Sequence, residues 1–322
     1  MSITKELFDS AWQSMDELDL KMDKLIVKEN DNIFKHLFVE KEEKASIRSI
    51  SKPITCLCYG IAIEKGFFKN GLDELVYPYL KKTQTISRVE NLKYIEKWTV
   101  RTLLTLTIGY ENKMLDSKHL PTIEGQNYAD VVLNSPLNHG PGEFFIYSNA
   151  AMYLASVVFQ NATGIKLVDF ANDNLFAPLG IAPINWKESP QGYNMGCTGI
   201  DIFADDLLKI GELLLHGGVY GGKRVVSEEW IKSMLKPQVI TPGMYDEKRV
   251  LPKYAYGYNM WICKDGIAYC DGTDGQYLII VPQKQMVIVT TGHQSNMKPI
   301  TICLEKIIRN GDTYEAGDNN QE

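Results

Sequence analysis

The sequence lacks a basic charge excess and any long apolar run. Its 322 residues carry 34 Lys and Arg against 40 Asp and Glu, a formal net charge of −6, so no positive field attracts nucleic acid. No apolar run approaches the roughly 18 residues that a membrane-spanning helix needs. The N-terminal stretch mixes charged and apolar side chains, which is not the composition of a signal peptide. We therefore expect a cytoplasmic protein with neither a nucleic-acid nor a membrane partner.

Cysteine and histidine are sparse and widely spaced. The six cysteines (56, 58, 197, 263, 270 and 303) form no C-x-x-C pair, which favours free thiols in a reducing compartment. The five histidines show no H-E-x-x-H or similar spacing, so the sequence predicts no metal site and no cofactor. Hydrophobic residues make up 44% and charged residues 23%, which fits a globular protein of one large unit or two lobes.

The most informative feature that is present is a short polar segment before an apolar helix. Ser49 and Lys52 form an S-x-x-K pair directly ahead of the apolar run Ile54 to Ile63. Helical residues three apart share a face, so the Lys52 amine is expected within hydrogen-bond reach of the Ser49 hydroxyl. Burial lowers a lysine pKa, and a neutral amine can activate a serine as a nucleophile. Only this copy of the pattern heads a predicted buried helix, unlike those at Ser2/Lys5, Ser233/Lys236 and Ser295/Lys298.

A second polar segment, Tyr147-Ser148-Asn149, opens another apolar helix. A tyrosine beside a lysine can relay protons, and nearby cations would stabilise its phenolate form. Asn149 is a candidate to donate to a substrate carbonyl or to fix Lys52. The same Tyr-x-Asn spacing occurs at Tyr110, so a purely structural tyrosine at a helix start is the alternative interpretation.

Strand-like β-branched and aromatic runs bounded by turn residues predict strands near both termini, and helical patterns predict helices between them. The predicted strands cover residues 24–28, 33–39, 256–263, 267–270, 277–281 and 286–291. The predicted helices cover residues 4–20, 54–63, 99–106, 128–133, 149–163, 167–175, 204–215, 227–235 and 298–310. This order predicts one unit over 1–322, with an α/β lobe from 1–66 and 236–310 and a mostly helical lobe from 67–235. The acidic tail, residues 311–322, is predicted to be disordered.

Several stretches resemble the β-lactamase-related serine hydrolases. Residues 48–66 resemble the first motif of that superfamily, and residues 99–110 resemble the segment ahead of its second motif. Residues 141–149, P-G-E-F-F-I-Y-S-N, are similar to the family's P-G-x-x-F-x-Y-S-N. Residues 215–230 and 256–258 also fit, so the resemblance covers nearly the whole chain in the right order. The superfamily includes class C β-lactamases, penicillin-binding DD-peptidases, family VIII-type esterases and 6-aminohexanoate-oligomer hydrolases.

The resemblance implies both a fold and a mechanism. The fold is β-lactamase/transpeptidase-like, an α/β protein of the α+β type with an antiparallel sheet, flanking terminal helices and an inserted helical lobe. Ser49 would be the nucleophile, Lys52 its base and Tyr147 the proton relay, with Asn149 as a supporting polar group. The main-chain N–H groups of Ser49 and Thr273 would form the oxyanion hole. The S-D-N motif and glutamate base of class A enzymes have no match, so a tyrosine-assisted mechanism is favoured.

The third motif departs from the family pattern. Many members carry K-T-G or H-x-G where residues 270–276 read C-D-G-T-D-G-Q, and no K-[S/T]-G occurs in the sequence. The stretch looks more like the G-x-x-G-Q variant of esterase and amidase branches, which makes Asp271, Gly272 and Gln276 candidates to support substrate binding. A carboxylate at Asp271 that faces the cleft would repel the carboxylate of a β-lactam or a D-Ala-D-Ala peptide. This argues against β-lactamase and DD-peptidase activity and for a neutral or cationic substrate.

We therefore expect a serine hydrolase that cleaves a small-molecule ester or amide through an acyl-Ser49 intermediate. An acyltransferase would use the same residues. The alternative from a different functional class is a relative that has lost catalytic activity and binds a ligand in the cleft of the former active site. The altered third motif keeps that alternative open, whereas the intact serine, lysine and tyrosine count against it. The third hypothesis is an unrelated protein in which these motifs match by chance. The acyl group, the leaving group and the oligomeric state are not set by the sequence.

Overall fold

Twelve strands occur in the part of the chain that the computed structural model describes, residues 2–241 and 251–309, and the longest of them contain apolar runs with β-branched residues. The tail predicted to be disordered, residues 311–322, lies outside the described residues. The strands are β1 (Met22–Glu29), β2 (Asn32–Leu37), β3 (Ala45–Ser46), β4 (Asp201–Ile202), β5 (Val219–Tyr220), β6 (Lys223–Arg224), β7 (Val239–Ile240), β8 (Ala255–Tyr256), β9 (Trp261–Ile262), β10 (Ala268–Gly272), β11 (Gln276–Val281) and β12 (Met286–Gly292).

Eight of these strands form one antiparallel sheet that joins the two ends of the chain. Its order is β2-β1-β12-β11-β10-β9-β8-β7. β1 pairs with β2 on one side and with β12 on the other, with Ile26 opposite Val289. The N-terminal hairpin therefore extends the C-terminal meander, as the order of predicted strands implied. Two small pairs, β3 with β4 and β5 with β6, lie outside this sheet.

Five of the described helices begin at a capping side chain that accepts from main-chain N–H groups of the first turn, namely Thr4, Thr99, Asn127, Ser148 and Ser227. In the described residues they are α1 (Lys5–Glu17), α2 (Ser51–Glu64), α3 (Tyr77–Leu80), α4 (Leu92–Ile95), α5 (Val100–Leu104), α6 (Tyr128–Asn134), α7 (Asn149–Thr163), α8 (Leu167–Ala171), α9 (Ala204–Leu215), α10 (Glu228–Met234) and α11 (Lys298–Ile308).

Helices cover the central strands of the large sheet. α1 and α11 pack against each other, and α9 packs on β11 and β12. Every residue of β11 and β12 is buried, because a sheet covered on both faces has no polar side. The α/β class, with an antiparallel sheet, terminal helices and helices inserted between the strands, is confirmed. The proposed lobe boundaries at 66/67 and 235/236 stay a prediction.

α2 and α7 form the buried centre of the helical part. α2 is buried from Ser51 through Ala62 and α7 from Ala150 through Gln160. The Tyr59 hydroxyl donates to the Ala155 carbonyl at 2.7 Å and so ties the two helices together. Since a close-packed interior yields little, α2 is a rigid support for the polar segment at its N-terminus.

Two predicted elements are divided in the structure. Residues 256–263 are not one strand, because Tyr258 and Asn259 turn away between β8 and β9. The Tyr258 N–H donates to the Met234 carbonyl, and the Asn259 side chain donates to the Leu104 carbonyl at 2.8 Å. The helix predicted over 167–175 ends at Ala171 and continues as a π-helical turn, Asn172–Phe176. There the Asn172 side chain bonds to both the N–H and the carbonyl of Ile184.

Candidate active site

Ser49 lies in a single 3-10 turn, Arg48–Ile50, that leads directly into α2. The helix begins at Ser51, three residues earlier than the apolar run predicted. The Ser51 hydroxyl donates to the Arg48 carbonyl at 2.8 Å and holds the turn. Ser49 is the second residue of this turn, where main-chain N–H groups have no partner within the helix.

The Lys52 amine is buried beside the serine hydroxyl. Its side chain is in the first turn of α2 and Lys52 is only 1% exposed. Nζ lies 2.8 Å from Ser49 Oγ and 3.3 Å from the Cys197 carbonyl oxygen. Burial lowers the pKa of Lys52 to about 8, although the negative charge of Asp271 acts in the opposite direction. The pairing of Ser49 with Lys52 predicted from the spacing is therefore present, with an amine that is substantially neutral near pH 8.

Tyr147 reaches the same place from the segment before α7. Its hydroxyl is close enough to Ser49 for the serine to lower the pKa of the phenol, and its ring centroid lies 4.9 Å from Lys52 Nζ. Burial raises the pKa of Tyr147 far above its ordinary value, and Asp271 raises it further. The expectation that nearby cations stabilise a phenolate is thus wrong, because desolvation and the neighbouring Asp271 carboxylate both favour the neutral phenol. Tyr147 is a protonated phenol and can donate.

The two residues after Tyr147 hold a neighbouring loop. The Ser148 hydroxyl accepts from the Met114 N–H at 3.0 Å. Asn149 donates from Nδ2 to the Leu115 carbonyl at 2.9 Å. Leu115 has a left-handed backbone, with φ of 61°, a conformation that persists only where the surroundings enforce it. These contacts make Asn149 a support for the loop beside Tyr147, whereas its contact with substrate stays a prediction.

The third motif forms the end of β10 and the turn into β11, close to the serine segment. A Cβ on Gly272 would lie 2.5 Å from the Ile47 carbonyl oxygen and 2.9 Å from Arg48 Cβ. Only glycine therefore allows this approach. Thr273 is exposed in the turn itself, and its N–H donates to no other residue in the described part of the chain.

Gln276 supports this turn from beneath. It is 2% exposed, and its Nε2 donates to the carbonyls of Asp274 at 3.1 Å and Gly292 at 2.6 Å. These contacts favour a structural role for the side chain of Gln276, and the predicted contact with substrate stays a prediction.

Asp271 lies at the wall of the site with two partners that no sequence pattern indicated. The Trp261 Nε1–H donates to Asp271 Oδ1 at 2.9 Å, and Lys253 Nζ lies 3.7 Å from Oδ2. Lys253 also lies 4.2 Å over the Trp261 ring, and that ring stacks on Tyr147 at 5.3 Å. The negative charge expected at this place is therefore present but paired. No local sequence spacing connects Asp271 with Trp261 or Lys253. The only signal in the sequence was the apolar context of Trp261, which indicated that this residue is buried.

The described residues contain neither a metal site nor a membrane-spanning helix. No group of three or more His, Cys, Asp or Glu side chains in residues 2–241 and 251–309 is arranged to hold a metal ion. Over the same ranges, no helix has the length and apolar character needed to cross a bilayer. All six cysteines are buried free thiols.

Comparison with known proteins assigns the family. A family model described as Beta-lactamase matches residues 39–299, and the chain belongs to this family. It is 32% identical over 157 residues to the 6-aminohexanoate-dimer hydrolase of Paenarthrobacter ureafaciens, covering 47% of this chain and 39% of that protein. It is 26% identical over 173 residues to penicillin-binding protein 4* of Bacillus subtilis (strain 168), covering 47% of this chain and 34% of that protein. The matches thus span well under half the length of these curated relatives.

A solved structure agrees with the fold. EstCE1, described as a hydrolase with promiscuous acyltransferase activity, superposes with a TM-score of 0.74 at 16% identity, covering 94% of this chain and 98% of that chain. At this identity the likeness concerns the fold alone. This fold agrees with the match of residues 39–299 to the Beta-lactamase family model.

Proposed function

We propose that the protein cleaves a small ester or amide through a covalent acyl-Ser49 intermediate. The observation that carries this proposal is the 2.8 Å separation of Lys52 Nζ and Ser49 Oγ, with the amine buried. A neutral amine at this distance can accept the hydroxyl proton as Oγ attacks.

The acylation step balances with the residues at hand. The Ser49 Oγ–C bond forms, the Oγ proton passes to Lys52 Nζ, and the carbonyl electron pair moves to the oxygen. The N–H groups of Ser49 and Thr273 are proposed to hold this oxyanion. When the oxyanion collapses, the bond to the leaving group breaks, and the leaving group takes a proton through the Tyr147 hydroxyl. Lys52 replenishes that proton.

Deacylation repeats these steps with water in place of the leaving group. Water attacks the acyl carbon and loses a proton through Tyr147 to Lys52. The bond from the acyl carbon to Ser49 Oγ then breaks, Lys52 returns a proton to Oγ, and the acid is released. Another acceptor, such as an alcohol or an amine, would give acyl transfer by the same residues. The promiscuous acyltransferase activity of EstCE1 makes this the second candidate reaction.

The third motif supports a neutral or cationic substrate. No lysine or histidine stands where many relatives carry one, and Asp271 brings a carboxylate instead. The nearby Lys253 amine offsets part of that charge, so no net positive charge favours a substrate carboxylate. An ester or amide without a carboxylate next to the scissile bond fits best. The amide cleaved by the 6-aminohexanoate-dimer hydrolase relative is consistent with this class.

Labelling with a fluorophosphonate probe tests the mechanism. Mass spectrometry should find the adduct on Ser49, and Ser49→Ala should abolish it. Ser233→Ala is a matched control, since Ser233 is the serine of another S-x-x-K pair and lies on α10, outside the serine segment. A folded protein that stays unlabelled would support the catalytically silent binding protein instead.

A substrate pair tests the charge argument. A p-nitrophenyl ester should be hydrolysed faster than a nitrocefin-type β-lactam, because only the β-lactam carries a carboxylate. Faster turnover of the β-lactam would contradict the role proposed for Asp271.

A further inference from the structure

An ion pair joins the residues that flank the two proposed oxyanion donors. Arg48 directly precedes Ser49, and Asp274 directly follows Thr273. Arg48 Nη2 lies 3.0 Å from Asp274 Oδ2, and the two side chains are 45% and 34% exposed. The pair therefore bridges the serine segment and the β10–β11 turn at the level of both donors.

Both members of the pair have a left-handed backbone. The φ angles are 51° at Arg48 and 70° at Asp274, in the left-handed region that disfavours a residue with a Cβ. Such conformations persist where surrounding contacts enforce them, and they concentrate at functional sites. Arg48 adjoins the peptide group that carries the Ser49 N–H, and Asp274 follows the residue that carries the Thr273 N–H, so the strained backbone lies beside the proposed hole.

The turn is anchored from the other side by its main chain. The Asp274 carbonyl accepts from the Gln294 N–H at 3.0 Å and from Gln276 Nε2. On the side of the serine, the close approach of Gly272 to Ile47 sets how near the turn can come. That contact limits the approach but does not pull the two segments together. The electrostatic attraction between Arg48 and Asp274 is the contact that draws the two segments together.

We propose that the Arg48–Asp274 ion pair fixes the separation and direction of the Ser49 and Thr273 N–H groups, so that both residues position the oxyanion hole. The inference rests on the proposed function. Because the two donors converge on one oxygen most strongly in the transition state, loss of the pair should lower kcat and leave KM nearly unchanged.

Asp274→Asn is the sharpest variant. Asparagine has the same size and tolerates a left-handed backbone, so it removes the charge and little else. We expect kcat for a p-nitrophenyl ester and the rate of Ser49 labelling to fall together by about tenfold, less than the roughly 10²–10³ lost when a donor is removed. An exposed ion pair contributes little to folding, so the unfolding midpoint should stay near that of the wild type.

Asp73→Asn is the matched control. Arg101 Nη2 lies 3.0 Å from Asp73 Oδ1, with Arg101 43% exposed, so the pair has the same chemistry, length and arginine exposure. Asp73 belongs to neither the serine segment nor the β10–β11 turn. Removing the charge of Asp73 should leave kcat and the rate of Ser49 labelling at wild-type values.

A double-mutant cycle and a charge exchange separate positioning from a general effect of charge. Arg48→Gln combined with Asp274→Asn should lose no more activity than either change alone, because both remove one interaction. Arg48→Asp combined with Asp274→Arg should recover most of the lost kcat. Additive losses, or an exchange that recovers nothing, would overturn the inference.

The outcomes distinguish this inference from the function on which it rests. A wild-type protein that is not labelled at Ser49 contradicts the proposed function. A labelled wild type with an Asp274→Asn variant labelled at the same rate overturns the inference alone. A loss confined to KM also overturns it, since the pair would then bind substrate. If Asp274→Asn does not fold, Arg48→Gln provides the same comparison.

Discussion

At the scale of single residues, burial controls the protonation of the candidate site. It lowers the pKa of the Lys52 amine to about 8 and raises the pKa of the Tyr147 phenol. The two pKa values move in opposite directions, because burial favours the neutral form of both an amine and a phenol. The result is a base and a hydrogen-bond donor side by side, which is the division of roles that acyl transfer needs.

The reaction rate should therefore depend on pH through Lys52. The amine must be neutral to accept a proton, so Ser49 acylation should rise as pH rises through about 8 and then level off. The pH profile of the rate should show no second transition from Tyr147 in the neutral range, because the pKa of Tyr147 is raised. The measurement is the labelling rate of Ser49 between about pH 6 and about pH 10, with circular dichroism recorded at each pH to show that the protein stays folded. A midpoint near the ordinary lysine value of about 10.4 would contradict a buried base.

At the scale of elements, the site depends on how closely two short segments approach each other. The serine segment is fixed by α2, and the third motif is fixed by β10 and β11. Gly272 permits their contact, since a side chain there would meet the main-chain oxygen of Ile47. A main-chain atom cannot rotate away, so any added atom must move one segment.

Gly272→Ala should consequently reduce activity far more than stability. The added methyl would push the turn away from Ser49, and a displacement of about 1 Å can cost about a hundredfold in rate. The labelling rate of Ser49 measures the first effect and urea denaturation the second. A variant with wild-type labelling would show that the turn plays no part in acylation.

At the scale of the whole molecule, α9 packs on β11 and β12 and forms part of the buried core. Gly211 on α9 faces the sheet, where a Cβ would lie 2.4 Å from Val287 Cγ1 and 2.8 Å from Leu278 Cδ1. Val287 is β-branched and rotates poorly, so the neighbouring strands cannot easily make room.

Gly211→Ala should therefore destabilise the fold without altering the site. Overpacking costs about 1–3 kcal/mol, whereas replacing glycine by alanine in a helix gains about 1 kcal/mol. The net loss should appear as a lower denaturation midpoint, with Ser49 labelled at the wild-type rate in the folded protein. This variant also serves as the control for Gly272→Ala, because it adds the same methyl elsewhere. A higher midpoint would mean that α9 has room to shift.

The local features of the site were predictable from the sequence. Ser49 and Lys52 are three residues apart, and helix geometry alone brings such residues together. The strands at both ends followed from β-branched and aromatic runs bounded by turn residues, although this pattern predicts one strand over residues 256–263 where the structure has two. That error arose because the contact of Tyr258 with the Met234 carbonyl is a tertiary one.

The contacts that tune the site were decided only by the tertiary structure. Tyr147 lies beside Ser49 because α7 packs on α2, and its neutral state follows from burial that no local pattern encodes. Asp271 acquired Trp261 and Lys253 as partners through the pairing of strands and the folding of distant loops. The Arg48–Asp274 pair likewise depends on the sheet bringing the turn to the serine segment. The contact between Ser49 and Lys52 follows from helix geometry, because the two residues are neighbours in sequence. The contacts between residues distant in sequence form only because the packed core sets the distances between their elements.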